Sequence, residues 1–381
     1  MERHKKIVIL ISMLIFTILY LMIANLNSQK RIFTQLNITR VIRNSRYGLD
    51  YTGHYEVDDN IKKPLKRYED YYSLKTYQSL GEQCARQITL ETFTHKDLEM
   101  NQIFFLETSG RSKLSPRQTC SVESAAKFSK LHVQVILLSN TLDLTDNSTC
   151  YLHNSVSNVR FYKIDLHKIY KDTPLQDLVA SRKFQKSKFY VTHQSDALRL
   201  AVIFKYGGFY SDMDAVIIRD LSNFHNVIGA TKINAKNDTL AHLANGEFHF
   251  EAKHQLLWQT MKMFKKVYTG STRVEVGPML ITKTVKEYFH LDTIERLKTK
   301  TLEVAPTEAF YPIKAFDVKQ LWPTQPKTFV QWFKLFQNSS MVHFYASQTN
   351  GWLVERDPSH EAYAVLGPRY CPTSYWSAEN F

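Results

Sequence analysis

The chain has 381 residues, room for one large domain or two ordinary ones, and 44% of them are hydrophobic, with 23 Phe and 21 Tyr to fill a core. With only 12 Gly and 11 Pro and no solenoid period, long disordered, fibrous or repeat architectures are excluded. The formal net charge of +13 suits anionic partners, but the basic residues are dispersed and no nucleic-acid motif accompanies them, so nucleic acid is not expected as a partner.

Residues 7–24 are uncharged and mostly aliphatic, about the shortest run that crosses a bilayer as a helix. Arg3, Lys5 and Lys6 precede it. The run exceeds the apolar core of a cleaved signal peptide, and no small-x-small cleavage site follows. The expectation is a cytoplasmic tail at 1–6, a transmembrane signal anchor at 7–26, a polar stem at 27–95 and a folded domain at 96–381. Acceptor triplets for N-glycosylation begin at Asn37, Asn147, Asn237 and Asn338, all beyond the anchor. Cys84, Cys120, Cys150 and Cys371 also lie beyond it, an even number that allows up to two disulfides in any of three pairings. No two cysteines have the spacing of a zinc site.

Regular patterning starts near residue 100. Residues 103–106 read as a buried strand, 121–130 as a helix, and 132–138 and 159–164 as two more strands. Strand, helix and strand in this rhythm predict an α/β sheet with crossover helices. The most informative stretch is 195–221. Ser195 suits an N-cap and 197–205 a buried helix, which Gly207-Gly208 would stop. Phe209-Tyr210 then opens a strand, and 215–218 reads as another. Asp212 and Asp214 therefore stand at a break between strands.

In extended chain, residues two apart project to one side, so these carboxylates converge while Met213 faces the core. Two close carboxylates repel, and a hard divalent cation such as Mg²⁺ or Mn²⁺ relieves that cost and can bridge to a diphosphate. Asp196 and Arg199 share a helix face three residues apart, placed either as a surface ion pair or to contact ribose and phosphate. The segment Asp212-Met-Asp-Ala-Val also fits the D-x-D-x-[TV] pattern of haloacid-dehalogenase phosphohydrolases. Those need the motif on their first strand and a later acidic pair, and here it follows three strand candidates with no such pair after it.

The pattern S-D-A-L-R-x(8)-G-G-F-Y-x-D-x-D resembles the glycosyltransferase sugar-binding region that contains the DXD motif. Further segments, at 103–109, 120–126, 172–175, 277–278, 308–313, 342–343 and 369–373, resemble the α-1,4-glycosyltransferase family. The resemblance spans about residues 100–375. It implies a GT-A-like domain behind a transmembrane helix, in a single-pass type II protein of the Golgi membrane. The implied reaction is transfer of galactose, or N-acetylgalactosamine or N-acetylglucosamine, from a UDP-sugar. The product would be an α-1,4 linkage, formed with retention, on a glycosphingolipid such as lactosylceramide or on another glycolipid or glycoprotein. It further implies that Asp212, Asp214 and His343 hold Mn²⁺, and that Asp196 and Arg199 contact the nucleotide-sugar. Leu106, Glu107, Thr108 and Ser109 would lie beside the uridine, with Gly277 and Pro278 also in the nucleotide-sugar site. Asn245 and Glu247 would reach the anomeric face, where Glu247 is either a nucleophile or a solvent-facing bystander. An inactive protein with the same fold is the remaining alternative, and the intact Asp196, Arg199, Asp212 and Asp214 speak against it.

Overall fold

The computed structural model describes residues 91–381, apart from 99–100, 138–146, 233–240, 293, 295–298, 300, 357–359 and 379–380. The apolar run at 7–24, the stem to residue 90 and the triplets at Asn37 and Asn237 lie outside the described residues. Among the described residues no helix is long and apolar enough to cross a membrane.

The main elements are β1 (Gln102–Glu107), α1 (Pro116–Phe128), β2 (His132–Leu137), α2 (Asn147–Ser155), β3 (Val159–Lys163), α3 (Tyr190–Tyr206), β4 (Gly208–Ser211) and β5 (Ala215–Ile217). Then follow β6 (Val227–Lys232), β7 (Ala241–Phe250), α4 (Gln255–Val267), α5 (Pro278–Phe289), β8 (Glu303–Val304), β9 (Met341–His343), α6 (Ala362–Tyr370) and α7 (Pro372–Ser377). Seven strands form one sheet in the order β3-β2-β1-β4-β7-β6-β8, and β5 pairs with β9 in a second, two-stranded sheet. The β3-β2-β1-β4 half is parallel, while β7 runs antiparallel to both β4 and β6.

The α/β architecture follows from side-chain alternation. Ile103 and Phe105 of β1 face a core completed by Val122 and Ala125 of α1, whereas Phe104 and Leu106 face one completed by α3. A sheet buried on both faces needs continuous apolar strands, and every residue of β1 is buried. A third cluster joins Val216 of β5 and Val342 of β9 to α6 and α7. There Cys120 of α1 is bonded to Cys371, one of the pairings left open by the sequence, and Cys150 is also disulfide-bonded. Closing a loop of that length, with a sequence separation of 251, stabilises by about 5 kcal/mol in a chain-entropy account.

Three local readings shift. Helix α1 begins at Pro116, five residues earlier than expected, because Ser115 and Gln118 form a capping box around a proline at the first helical position. Helix α3 begins at Tyr190, so Ser195 sits inside it and is not its N-cap. The first turn, with its β-branched Val191 and Thr192, has weak helix propensity. It is pinned by tertiary contacts: Tyr268 Oη and Thr272 O to the His193 ring nitrogens, each at 3.1 Å, and Gln194 Nε2 to Tyr170 Oη at 3.1 Å. Phe93 already packs in the core, so the folded unit starts before residue 96.

The expected helix stop is where the sequence put it. Gly207 and Gly208 have φ of 69° and 104°. A Cβ on Gly207 would lie 2.8 Å from Ala252 N, and one on Gly208 2.8 Å from Gln102 O.

Candidate active site

In a parallel sheet, ligands bind outside the carboxyl ends of strands, where the strand order reverses direction. Here β1 leads to β2 and β3 on one side and is flanked by β4 on the other, so the reversal falls between β1 and β4. Leu106 to Ser109 leave β1 at that edge, and Asp212 to Asp214 leave β4 at the same edge. Glu107 is engaged internally. It accepts from Ser109 N (2.6 Å), from Ser109 Oγ and from Gln118 Nε2 (3.1 Å), which ties the β1 end to the start of α1.

Asp212 and Asp214 occupy the break between the large and small sheets, and Met213 packs into the core beneath; Met213 and Asp214 form a turn there, not the extended chain expected from alternation. Asp212 is gripped by one oxygen. Its Oδ1 accepts from Tyr210 Oη at 2.6 Å and lies 3.1 Å from Arg199 Nη1. Its Oδ2 carries no hydrogen bond among the described residues and turns toward Gly246, where a Cβ would come within 2.7 Å of it.

Arg199 is 7% exposed and committed to protein groups. Besides Asp212 it donates to Asn245 O (2.7 Å), Ser195 Oγ (2.8 Å) and Ser195 O (3.3 Å), and it stacks 4.6 Å over the Tyr210 ring. Its Nε lies 3.7 Å from Asp196 Oδ1, so the two do share a face, buried and not on the helix surface. Asp196 also accepts from Asn245 Nδ2 at 2.7 Å. Burial raises its carboxyl above the ordinary value, and Arg199 and Asn245 offset that only in part. Gly277, at the start of α5, closes this corner: a Cβ there would stand 3.4 Å from Asp196 Oδ2 and 3.5 Å from Asn245 Nδ2. Pro278 follows as the first residue of α5.

Asp214 is largely buried, with 18% of its side chain exposed. The β5–β9 ladder pairs Ala215 with His343, which brings His343 Nε2 to 3.0 Å from Asp214 Oδ1. Past β9 the backbone turns through Tyr345, a non-glycine residue at φ 52°. Two successive N–H groups are thereby aimed back: Tyr345 N donates to His343 Nδ1 (3.1 Å) and Ala346 N to Asp214 Oδ2 (2.6 Å). Burial would raise the Asp214 carboxyl, but His343 and these hydrogen bonds outweigh it and hold it below its usual value. Burial would lower the His343 imidazole, but Asp214 outweighs it and raises it.

One ligand atom each from Asp212, Asp214 and His343 falls within 4.8 Å of the others. Two ligands at right angles, each about 2.1 Å from an octahedral ion, stand about 3.0 Å apart. The 3.0 Å between His343 Nε2 and Asp214 Oδ1 matches that spacing. Two carboxylates and an imidazole suit a divalent ion such as Mn²⁺, so these residues fit one.

Glu247 pairs with Ser211 across β4 and β7 and is fully buried, which overturns the solvent-facing alternative. Both of its oxygens are shut off from solvent, and neither makes a well-aligned hydrogen bond. Burial, and then the charge of Asp212, push the Glu247 carboxyl well above the carboxylate range. Sequence reasoning gave no role to Tyr210, Gly246, Tyr311 or Tyr345. Gly246 could have been flagged as a glycine inside a strand, which often marks close approach of another group.

An α/β domain with an Asp-x-Asp pair and a histidine converging at the switch point of its sheet belongs to the class of glycosyltransferases, and comparison with known proteins bears this out. Residues 115–236 match the glycosyltransferase sugar-binding region containing the DXD motif, and residues 249–378 match the alpha 1,4-glycosyltransferase conserved region. The chain is 31% identical over 280 residues to lactosylceramide 4-alpha-galactosyltransferase of Gorilla gorilla gorilla, covering 72% of this chain and 82% of that one. It is 27% identical over 285 residues to alpha-1,4-N-acetylglucosaminyltransferase of Homo sapiens, covering 72% and 79%. Among solved structures, PaToxG glycosyltransferase aligns over 60% of this chain and 81% of that one at 16% identity with a TM-score of 0.38, a likeness too distant to carry weight. The chain belongs to the α-1,4-glycosyltransferase family. That membership removes the phosphohydrolase reading. Asp212 and Asp214 lie in the first matched region and His343 in the second.

Proposed function

We propose that this chain is a retaining α-1,4-glycosyltransferase that moves galactose, or N-acetylgalactosamine, from a UDP-sugar to a glycosphingolipid such as lactosylceramide. The observation that carries the reading is the convergence of Asp212, Asp214 and His343 on one point at the carboxyl edge of the sheet. The relatives' names supply the reaction class.

Asp212, Asp214 and His343 would hold Mn²⁺, which when bound supplies positive charge to the departing diphosphate. Arg199 acts by fixing the direction of Asp212 and by clamping Asn245 O, so the carboxylate is set before the substrate arrives. Asp196 and Asn245, joined and backed by Gly277, present polar groups to sugar or ribose hydroxyls. Residues 106–109, which leave the carboxyl end of β1, would lie beside the uridine.

A double displacement requires a carboxylate that touches the anomeric carbon. Both Glu247 oxygens are shut off from solvent, which supports a same-face route in which the departing diphosphate takes the proton of the incoming hydroxyl. The rate enhancement then comes from positioning and preorganised charge. The protein would be a single-pass type II protein of the Golgi membrane with a lumenal catalytic domain. The apolar run at 7–24 supports this, as does the Cys120–Cys371 disulfide, which suits an oxidising compartment.

Transfer of N-acetylglucosamine is the second reading, favoured by the relative with that activity in its name. The test is incubation of the purified protein and Mn²⁺ with UDP-galactose, UDP-N-acetylgalactosamine or UDP-N-acetylglucosamine. The acceptors are lactosylceramide and a panel of other glycolipids, and the anomeric configuration of the product is read by NMR. An α-linked hexose on lactosylceramide is the expected product. Exclusive use of UDP-N-acetylglucosamine selects the second reading, and no transfer from any donor contradicts both.

A further inference from the structure

The segment 308–313 carries the family resemblance without a chemical role, and the fold brings its tyrosine under the cation site. Tyr311 closes a short helix, Thr307–Phe310, and its ring is buried. Two neighbouring strands make room for it by having no side chain. A Cβ on Gly229 of β6 would lie 2.7 Å from Tyr311 Cε2, and one on Gly246 of β7 would lie 3.0 Å from its hydroxyl. The same Gly246 position is 2.7 Å from Asp212 Oδ2, so the phenol and that carboxylate oxygen share one cleft. The Tyr311 ring also lies 5.2 Å from His343 and 6.5 Å from Tyr345, centroid to centroid.

The hydroxyl is buried and makes no hydrogen bond, although leaving such a donor unpaired costs roughly 1–3 kcal/mol. Asp212 explains what the donor is for. Its Oδ1 is occupied by Tyr210 and Arg199, which leaves Oδ2 as the oxygen that can face a cation. A carboxylate oxygen has two lone pairs, one for a metal and one for a donor behind it.

We propose that Tyr311 is a positioning residue of the cation site, whose hydroxyl would donate to Asp212 Oδ2 once an ion is held there and whose ring backs His343, so that one side chain aligns ligands from both sheets. This rests on the cation site proposed above. Tyr311 touches neither sugar nor phosphate and acts through the two ligands. Removing the oxygen alone leaves the ring, the packing and all three ligands in place.

The test is Mn²⁺ binding to the purified full chain, followed by electron paramagnetic resonance, alongside the thermal unfolding midpoint. Tyr311→Phe should bind Mn²⁺ about tenfold more weakly than wild type, the scale of losing a hydrogen bond to a metal ligand. Tyr311→His, which retains a ring and an N–H donor, should recover part of that loss and serves if the phenylalanine variant does not fold. Wild-type Mn²⁺ affinity in Tyr311→Phe, with or without a lower melting temperature, would overturn the proposal, as would a histidine variant that binds no better than the phenylalanine one. If wild type itself binds no Mn²⁺, the cation site falls and takes this proposal with it. Normal wild-type binding with an unaffected Tyr311→Phe would sink the Tyr311 role alone.

Discussion

His343 Nε2 stands 3.0 Å from Asp214 Oδ1 because the β5–β9 ladder makes His343 the partner of Ala215, the residue next to Asp214. Tyr345 N–H donates to the other ring nitrogen, which leaves Nε2 as the nitrogen that faces Asp214. Asp214 and His343 would hold a cation there only through an Nε2 that carries no proton, so ion binding would compete with protonation of the ring.

Mn²⁺ affinity is therefore expected to depend on pH. Asp214 raises the imidazole above its ordinary 6.5 in spite of burial, so proton competition persists to higher pH than for a free histidine. Below that raised value, binding should weaken about tenfold per pH unit, with a proton released on binding. Calorimetric titrations with Mn²⁺ across neutrality, in buffers of different ionisation enthalpy, check this. Affinity that does not change with pH would contradict it.

Asp214 plays two parts that substitution can separate. Asp214→Asn keeps an oxygen for the Ala346 N–H, whereas Asp214→Ala leaves that donor without its partner, at a cost of roughly 1–3 kcal/mol. Both variants should lose transfer activity, and only the alanine variant should melt clearly lower by circular dichroism. Equal melting of the two variants would contradict the Ala346 contact.

Arg199→Lys tests whether the guanidinium positions Asp212. One ammonium cannot replace the bonds to Asn245 O, Ser195 and Asp212 together. A loss of about 100-fold in kcat/KM is expected from the misplaced carboxylate, with roughly 2–4 kcal/mol of stability from the pairing lost in a buried network. Steady-state kinetics and a denaturant titration read the two effects, and near-native values in both would refute the assignment.

Gly246→Ala places a methyl 2.7 Å from Asp212 Oδ2, inside van der Waals contact. Swinging that oxygen away should reduce kcat by about 100-fold, in line with a misplacement of about 1 Å, while binding of UDP alone changes less. Kinetics with a UDP-binding titration check this, and a fully active alanine variant would show that Oδ2 does not face the cation.

Much of the parallel half of the sheet was legible because its strands are short, apolar and spaced by helices, and because Gly207-Gly208 marks where α3 must stop. The acidic pair was legible as a break between two short strands, although Met213 and Asp214 form a turn there and not the extended chain that alternation assumed. What the chain did not disclose was long-range. Strands β6 and β7 are punctuated by Gly229 and Gly246, which read as weak strand positions until Tyr311 is seen filling the space they leave. Ser195 reads as a cap from local chemistry, but bonds to Tyr268, Thr272 and Tyr170, distant in sequence, extend α3 past it. Arg199 and Asp196 looked like surface or phosphate-contacting residues because spacing says nothing about burial. The disulfide choice depended on α7 folding back onto α1, which no local pattern encodes.

The central claim is that Asp212, Asp214 and His343 hold a divalent ion on which sugar transfer depends. The most direct measurement is transfer of galactose from UDP-galactose to lactosylceramide by the purified chain, first with Mn²⁺, then with EDTA, then with Mn²⁺ restored in excess. The account predicts transfer, its loss in EDTA and its return. Undiminished transfer in EDTA would contradict it.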